Sequence, residues 1–245
     1  MEALHIAEFV LQIAHYLVWF PLAVLVMQAI LRVGVSRYPL IFAYMVVMFL
    51  SVMAQMPTAL AYHRAGHSQS AWFQVLHSIS EGITYPLILA VVVSLMYRAT
   101  EQVGARHLIR AILAVGAPLF TAISFAVHFD RNVHVGVWMT PWTRDLNFCA
   151  AILDLILWTL LLASRRKEYR LLLLAGGMGI NFAGGAVADA VRSVAIHYRS
   201  FPTWISADVL ALVADGAALY IWWQAFRRDA SETAQVVPAK AAVNH

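Results

Sequence analysis

The chain has 245 residues, of which 62% are hydrophobic and only 12% are charged, against about 45–50% and about 25% in ordinary soluble domains. So few polar side chains cannot cover the surface of so large an apolar core, which excludes a soluble globular domain, and the apolar content excludes a disordered chain. The formal net charge of +4 follows the membrane topology derived below, so we do not interpret it as a nucleic-acid surface.

Apolar residues recur in seven blocks, each long enough to cross a bilayer, which takes about 20 helical residues. In chain order the blocks cover residues 7–31, 39–60, 70–97, 108–128, 144–164, 170–196 and 204–226. The predicted fold is therefore all-α: a polytopic membrane protein with a bundle of seven transmembrane helices over residues 1–228. Residues 229–245 lose the apolar pattern and are predicted to form a short disordered cytoplasmic tail.

Lysine and arginine beside the helix ends predict the orientation, because the side with the excess stays in the cytoplasm. One side carries Arg32, Arg37, Arg98, Arg106, Arg110, Arg165, Arg166, Lys167, Arg170, Arg227, Arg228 and Lys240. The other side carries Arg64, Arg131, Arg144 and Arg199. This bias predicts an N-terminus outside and a C-terminus in the cytoplasm, and we expect a multi-pass protein of the bacterial inner membrane.

Ionisable residues inside the predicted helices are costly in hydrocarbon and usually face the bundle interior or a cavity. On this topology most of them map to the outer half of the membrane, which predicts a polar pocket open to the outside. The predicted ligand-binding residues are His77, Glu81, Asp154, Asp189, Arg192, Asp208 and Asp215. An alternative interpretation is that they are structural polar contacts between helices.

Helical spacing predicts which of these side chains pair. His77 and Glu81 are i,i+4 neighbours, whereas Asp189 and Arg192 are i,i+3 neighbours. Arg192 is expected to pair with Asp189 and with Asp208 on the last helix. Asp154 or Asp215 is then expected to be neutral, because burial disfavours a charged carboxylate.

Histidines raise two weaker possibilities for a cofactor, although we predict none. His63 and His67 have the i,i+4 spacing with which one helical turn offers two nitrogens to a metal ion. His15 and His77 lie at similar predicted depth on helices that run in the same direction, so a b-type haem between them is a further hypothesis. Ordinary surface or core histidines are the alternative for all four.

Small residues dominate the sixth helix between Gly176 and Ala188. In a membrane, small-xxx-small spacing such as Gly184/Ala188 lets neighbouring helices approach closely. The sequence therefore predicts tight packing of helix six within the bundle. Beyond the lipid bilayer, the expected partners are a cytoplasmic or membrane protein, or a second copy of the chain through helix six, and no nucleic acid.

Several seven-helix families are excluded by the residues that their chemistry needs. A retinal protein needs a lysine inside its last helix, but Lys167 lies in a loop and Lys240 in the tail. Seven-helix zinc hydrolases need a His-x-x-x-His in the final helix, and intramembrane aspartyl proteases need Gly-x-Gly-Asp where Ala214-Asp215-Gly216 stands. We therefore expect that the chain is not an enzyme.

Sequence segments that lie mostly in the second half of the chain carry a resemblance to one bacterial group. They are Ser36-Arg37-Tyr38-Pro39, Arg144-Asp145-Leu146-Asn147-Phe148, Leu157-Trp158-Thr159-Leu160-Leu161, Leu172 to Ile180, and Trp222-Trp223-Gln224-Ala225-Phe226-Arg227. The chain resembles a family of uncharacterised acidobacterial-type seven-helix integral membrane proteins. In that family an acidic residue follows in helix six where this chain has Gly184 to Ala188. The function of the family is unknown, so the resemblance implies the topology alone.

Three functional hypotheses follow from the polar residues. The first is a non-enzymatic sensor or receptor-like protein whose outward-facing pocket binds a small ligand or ion. The second is a small transporter or proton-coupled carrier that uses the same acidic residues. The third and weakest is a membrane protein that binds b-type haem.

Overall fold

The computed structural model describes residues 2–65, 71–100, 106–131, 135–163, 168–198 and 200–242. Within these ranges the regular structure is helical, as predicted. The helices are α1 (Glu2–Val33), α2 (Pro39–Ala65), α3 (Ala71–Ala99), α4 (Arg106–His128), α5 (Val135–Ala163), α6 (Tyr169–Tyr198) and α7 (Phe201–Ala242). A short 3-10 helix, Val35–Arg37, follows Gly34, whose φ of 103° lies in the left-handed region that glycine adopts without strain.

All seven helices contain a stretch long and apolar enough to cross a membrane. These spans are Phe9–Val33, Pro39–Pro57, Val75–Ala99, Arg106–His128, Trp138–Ala163, Tyr169–Ala195 and Phe201–Arg227. Large apolar side chains are exposed along them, for example Leu108, Ile112 and Val115 on successive turns of α4. A soluble protein rarely leaves such stripes uncovered, so the seven-span multi-pass prediction is confirmed and a lipid bilayer is the indicated environment.

Two predicted boundaries differ from the structure. The fifth block was expected to begin at residue 144, whereas α5 begins at Val135 and includes Pro141 as its seventh residue; the residues that precede the proline, 135–140, are mostly apolar. A disordered tail was expected from residue 229, whereas the backbone of α7 stays helical to Ala242. That segment contains several alanines with glutamate, glutamine and lysine, which favour helix.

The helices form two compact units: residues 1–42 with 165–245, and residues 43–164. In the first, which we call the α1–α6–α7 unit, α7 packs against both α6 and α1. Buried residues recur on α1 at the helical spacing of Trp19, Ala23, Val26 and Ile30. The burial of one stripe per helix is what places the polar side chains described below at helix interfaces.

The antiparallel pair of α6 and α7 is packed through small residues, as the sequence predicts. A Cβ atom on Gly184 would collide with the Cβ atom of Ala214, and one on Gly177 would lie 2.6 Å from the Trp222 ring. The Trp222 indole N–H donates a hydrogen bond of 3.1 Å to the Leu174 carbonyl. Because Gly177 and Gly184 have no side chain, the two helices can approach each other this closely.

In the second unit, which we call the α3–α4–α5 unit, α5 packs against α3 and α4. The buried face of α5 recurs at helical spacing and consists of Leu146, Ala150, Asp154, Leu157 and Leu161. The buried face of α3 between residues 88 and 96 is wholly apolar and consists of Ile88, Leu89, Val91, Val92, Leu95 and Met96. Asp154 thus occupies a position at which the pattern of α5 predicts an apolar side chain.

The α6–α7 contact predicts that Gly177→Ala destabilises the protein while Gly185→Ala does not. The new methyl group at residue 177 would press on Trp222, and overpacking of this kind costs about 1–3 kcal/mol. A Cβ atom at residue 185 meets nothing within 4 Å, so that variant should match or slightly exceed the wild type. Unfolding of the purified protein in detergent measures both, and equal stability of the two variants would contradict the packing argument.

Candidate ligand-binding site

The most extensive charged contact in the α1–α6–α7 unit lies where α6 ends and α7 begins. Arg192 donates from Nη1 to Asp189 Oδ1 over 2.7 Å and from Nη2 to Asp208 Oδ1 over 2.8 Å. These three residues are called the Arg192 cluster below. Asp189 is on the same helix as the arginine and Asp208 is on the next, so the guanidinium joins α6 to α7. The predicted pairing of Arg192 with both acids is confirmed.

The Arg192 cluster is partly exposed and carries one more acid than base. The exposed fractions of the side chains are 75% for Asp189, 31% for Arg192 and 33% for Asp208. The guanidinium also lies over the Trp204 ring, 5.8 Å from its centroid, a distance at which cation–π attraction operates. With both carboxylates ionised, the cluster has a net charge of −1 and oxygen atoms that a solute can reach.

Two further polar residues of this unit lie deeper along the same helices. Asn181 Nδ2 donates to Asp215 Oδ1 over 2.7 Å, and this contact also joins α6 to α7. His15 on α1 is close enough to Asp208 for an electrostatic interaction. Four predicted site residues, Asp189, Arg192, Asp208 and Asp215, therefore follow one helix pair. Asn181, which the sequence analysis omitted, is the amide partner of Asp215.

The other predicted site residues belong to the α3–α4–α5 unit. His77 Nε2 lies 3.4 Å from Glu81 Oε1, which is the predicted i,i+4 contact. Asp154 is only 2% exposed, and its Oδ1 atom has no hydrogen-bond partner among the described residues. It lies past the midpoint of the span Trp138–Ala163 and makes no hydrogen bond or ion pair with His77 or Glu81. The predicted pocket lined by all seven residues would need side chains from both units, and it stays a prediction.

A polar contact between α4 and α5 was missed by the sequence analysis. Ser124 Oγ donates to Asp145 Oδ2 over 2.7 Å, and His128 Nε2 lies 2.9 Å from the same oxygen. Ser124, His128 and Asp145 are called the Asp145 cluster. Phe125 packs beside it, with its ring edge-to-face against the ring of Trp142 at 5.4 Å. The signal was present in the sequence, because His128 ends the fourth apolar block, 108–128, and Asp145 lies at the beginning of the fifth, 144–164.

Arg170 is a second residue whose role the sequence analysis did not identify, since it was counted only for topology. Its Nε atom donates to the Ala225 carbonyl over 3.3 Å, and its guanidinium lies 5.6 Å from the centroid of the Tyr38 ring. Tyr38 in turn packs edge-to-face on Phe226. Arg170 therefore fastens the beginning of α6 to α7 at the end opposite the Arg192 cluster.

Among the described residues, no arrangement of side chains supports the metal hypothesis or the haem hypothesis. The described residues contain no group of three or more His, Cys, Asp or Glu side chains that could hold a metal ion. The side chain of His63 and the whole of His67 lie outside the described residues. For haem, His15 belongs to one unit and His77 to the other, so this hypothesis stays a prediction.

A comparison of the chain with protein-family models, characterised proteins and solved structures finds no match. The resemblance to the acidobacterial-type membrane protein family stays a prediction.

A double-mutant cycle tests the bridge between α6 and α7. Arg192→Gln and Asp208→Asn should each destabilise the protein, and the two losses should overlap by roughly 1–2 kcal/mol because both remove one partly buried, charge-assisted hydrogen bond. Arg192→Gln with Asp130→Asn is the control pair; Asp130 is exposed and belongs to the other unit. Unfolding in detergent gives the energies, and the bridge is refuted if the first pair is as additive as the second.

The Asp145 cluster predicts that removal of the Ser124 hydroxyl lowers the unfolding free energy more than removal of a serine hydroxyl that bonds only to its own helix. Ser124→Ala should cost about 1–2 kcal/mol of unfolding free energy, because the buried hydroxyl donates to a carboxylate that is itself partly exposed. In the control, Ser193→Ala, the exposed hydroxyl donates to the Asp189 carbonyl of its own helix, so a change within about 0.5 kcal/mol is expected. Similar losses in the two variants would count against an α4–α5 link.

Proposed function

We propose that the protein is a non-enzymatic sensor or receptor-like protein that binds a small cationic ligand or metal cation at the Arg192 cluster. The observation that carries this proposal is the bridge itself: one guanidinium shared by two carboxylates on two helices, in a partly exposed position. A structural ion pair needs one acid, so the second acid leaves negative charge in excess. That excess favours a positively charged ligand.

The same geometry supports coupling between binding and helix position. A cation that coordinates Asp189 and Asp208 competes with Arg192 for the same oxygen atoms. Since Arg192 is the ionic link between α6 and α7 at this end, competition would weaken that link and change the relation of the two helices. A ligand shifts a conformational equilibrium only by its different affinity for the two states, and here the bound state is the one in which the arginine has released an acid.

The distribution of lysine and arginine supports the cellular arrangement. With the N-terminus outside and the C-terminus in the cytoplasm, the junction of α6 and α7 faces the exterior of a bacterial inner membrane. A ligand would then arrive from outside. A cytoplasmic partner would read the change at the arginine-rich ends, or a second copy of the chain would read it through α6, where Ala183, Ala186 and Ala190 are exposed small residues.

A second candidate function, a proton-coupled carrier, is favoured by the acids inside the spans. Asp215 has an amide partner, whereas the Oδ1 atom of Asp154 has no partner among the described residues. Residues of this kind occur in proton relays of pumps and transporters. The haem hypothesis is the weakest of the three, since the structure describes no distance or contact between His15 and His77.

The sensor proposal predicts a cation-dependent increase in thermal stability. The purified protein in detergent is heated with calcium, magnesium or spermidine chloride at constant ionic strength, because a ligand that binds the folded state raises the melting temperature. We expect at least one probe to raise it in the wild type. The rise should be lost in Asp189→Asn, whose side chain is 75% exposed, and in Asp208→Asn.

Asp130→Asn is the matched control, since it removes one exposed acid from the other unit and should keep the full shift. The proposal is overturned if no probe shifts the wild type, or if Asp189→Asn and Asp208→Asn respond as the wild type does. Flux of protons in liposomes that depends on Asp154 or Asp215 would favour the carrier instead.

A further inference from the structure

Asp154 is the most deeply buried acid among the side chains that the structure describes. It is 2% exposed and lies on the packing face of α5, between Ala150 and Leu157, both of which are fully buried. Its span, Trp138–Ala163, is apolar enough to cross a membrane. The side chain therefore lies at the level of the hydrocarbon core of a membrane and away from the polar ends of the helix.

No described side chain on the neighbouring helices forms an ion pair or a hydrogen bond with this acid. The helices packed against α5 are α3 and α4. Their described titratable or charged residues are His77, Glu81, Tyr85, Tyr97, Arg98, Arg106, His107, Arg110 and His128. His77 pairs with Glu81, Arg110 donates to the Tyr97 carbonyl, and His128 bonds Asp145. None of the nine makes a hydrogen bond or ion pair with Asp154.

An ionised carboxylate in this position would be a desolvated charge without compensation, which is among the least favourable arrangements in a protein. A carboxyl group escapes that cost by holding a proton. From the burial, the apolar neighbours and the unpartnered oxygen, we propose that Asp154 is a proton-binding site inside the membrane and is held as a neutral carboxylic acid. The ligand of this site is a single proton.

This site and the proposed cation site have no residue in common: Asp154 belongs to the α3–α4–α5 unit and the Arg192 cluster to the α1–α6–α7 unit. Release of the proton would create a charge on the packing face of α5, so it requires water or a cation to reach that face, or the helices to separate. Proton occupancy at Asp154 is thereby coupled to the packing of α5 on its neighbours.

A hydrophobic carbodiimide reports directly on a neutral buried acid. The carboxyl O–H adds across one C=N bond of N,N′-dicyclohexylcarbodiimide: the oxygen bonds to the central carbon and the proton moves to nitrogen. The acyl group of this O-acylisourea then shifts from oxygen to nitrogen and gives a stable N-acylurea. No atom is lost, so the labelled peptide gains the mass of one carbodiimide, and an ionised carboxylate lacks the proton that the addition consumes.

The experiment labels the full chain in liposomes at pH 7 and locates the adduct by fragment ions. We expect an adduct on Asp154 and its loss in Asp154→Asn. Asp145, on the same helix, is the internal control, because its side chain is 45% exposed and bonded to Ser124 and His128; it should stay unlabelled. Unfolding the chain in denaturant at the same pH should abolish the Asp154 adduct, since the exposed acid ionises.

Two results would overturn the proposal. One is the absence of an Asp154 adduct in the folded wild type, which needs no variant to interpret. The other is equal labelling of Asp154 by a water-soluble carbodiimide, which would place the side chain in water. Neither result bears on cation binding at the Arg192 cluster, and a failed thermal-shift experiment leaves the labelling result intact.

Discussion

The polar contacts of the α1–α6–α7 unit depend on how closely α6 approaches α7. Gly184 lies against Ala214 and Gly177 against Trp222, so side chains at these two positions would hold the helices apart. Close approach is what allows side chains as short as Asn181 and Asp215 to bond at 2.7 Å. In a bilayer, burial of apolar surface does not drive two helices together, because the lipid tails are equally apolar. Close packing and hydrogen bonds of this kind are therefore the main source of helix association.

In the proposed function, the same closeness is what would let the Arg192 cluster act on the helix pair. Asp189 is the exposed member of the cluster, and ion pairs of exposed side chains are weak, so an incoming cation has little energy to overcome at that acid. The contacts farther along, Asn181 with Asp215 and the Trp222 indole with the Leu174 carbonyl, hold the pair together while the end changes. A receptor needs this division between a rigid part and a part that a ligand of moderate affinity can rearrange.

Hydropathy predicts the seven spans because each span is a local property of the sequence. Helical spacing predicts the Asp189–Arg192 and His77–Glu81 pairs for the same reason, and the short connection between α6 and α7 brings Asp208 to Arg192. The Asp145 cluster depends on which faces of α4 and α5 meet, and the division into two units depends on which helices are neighbours. Hydropathy specifies neither which helices are neighbours nor which face of a helix meets a neighbour. The sequence therefore cannot assign His77 and Asp208 to different units.

Three buried or partly buried aspartates satisfy the same constraint in different ways. Asp208 has a cation, Asp215 has a neutral amide, and the Oδ1 atom of Asp154 has no partner among the described residues. A cation stabilises the charged carboxylate, an amide donor favours it less strongly, and burial without a donor favours the neutral acid. Of the three, Asp154 alone combines full burial with an oxygen atom that has no partner among the described residues. This combination supports proton binding at Asp154, whereas the excess of acids over bases in the Arg192 cluster supports cation binding there.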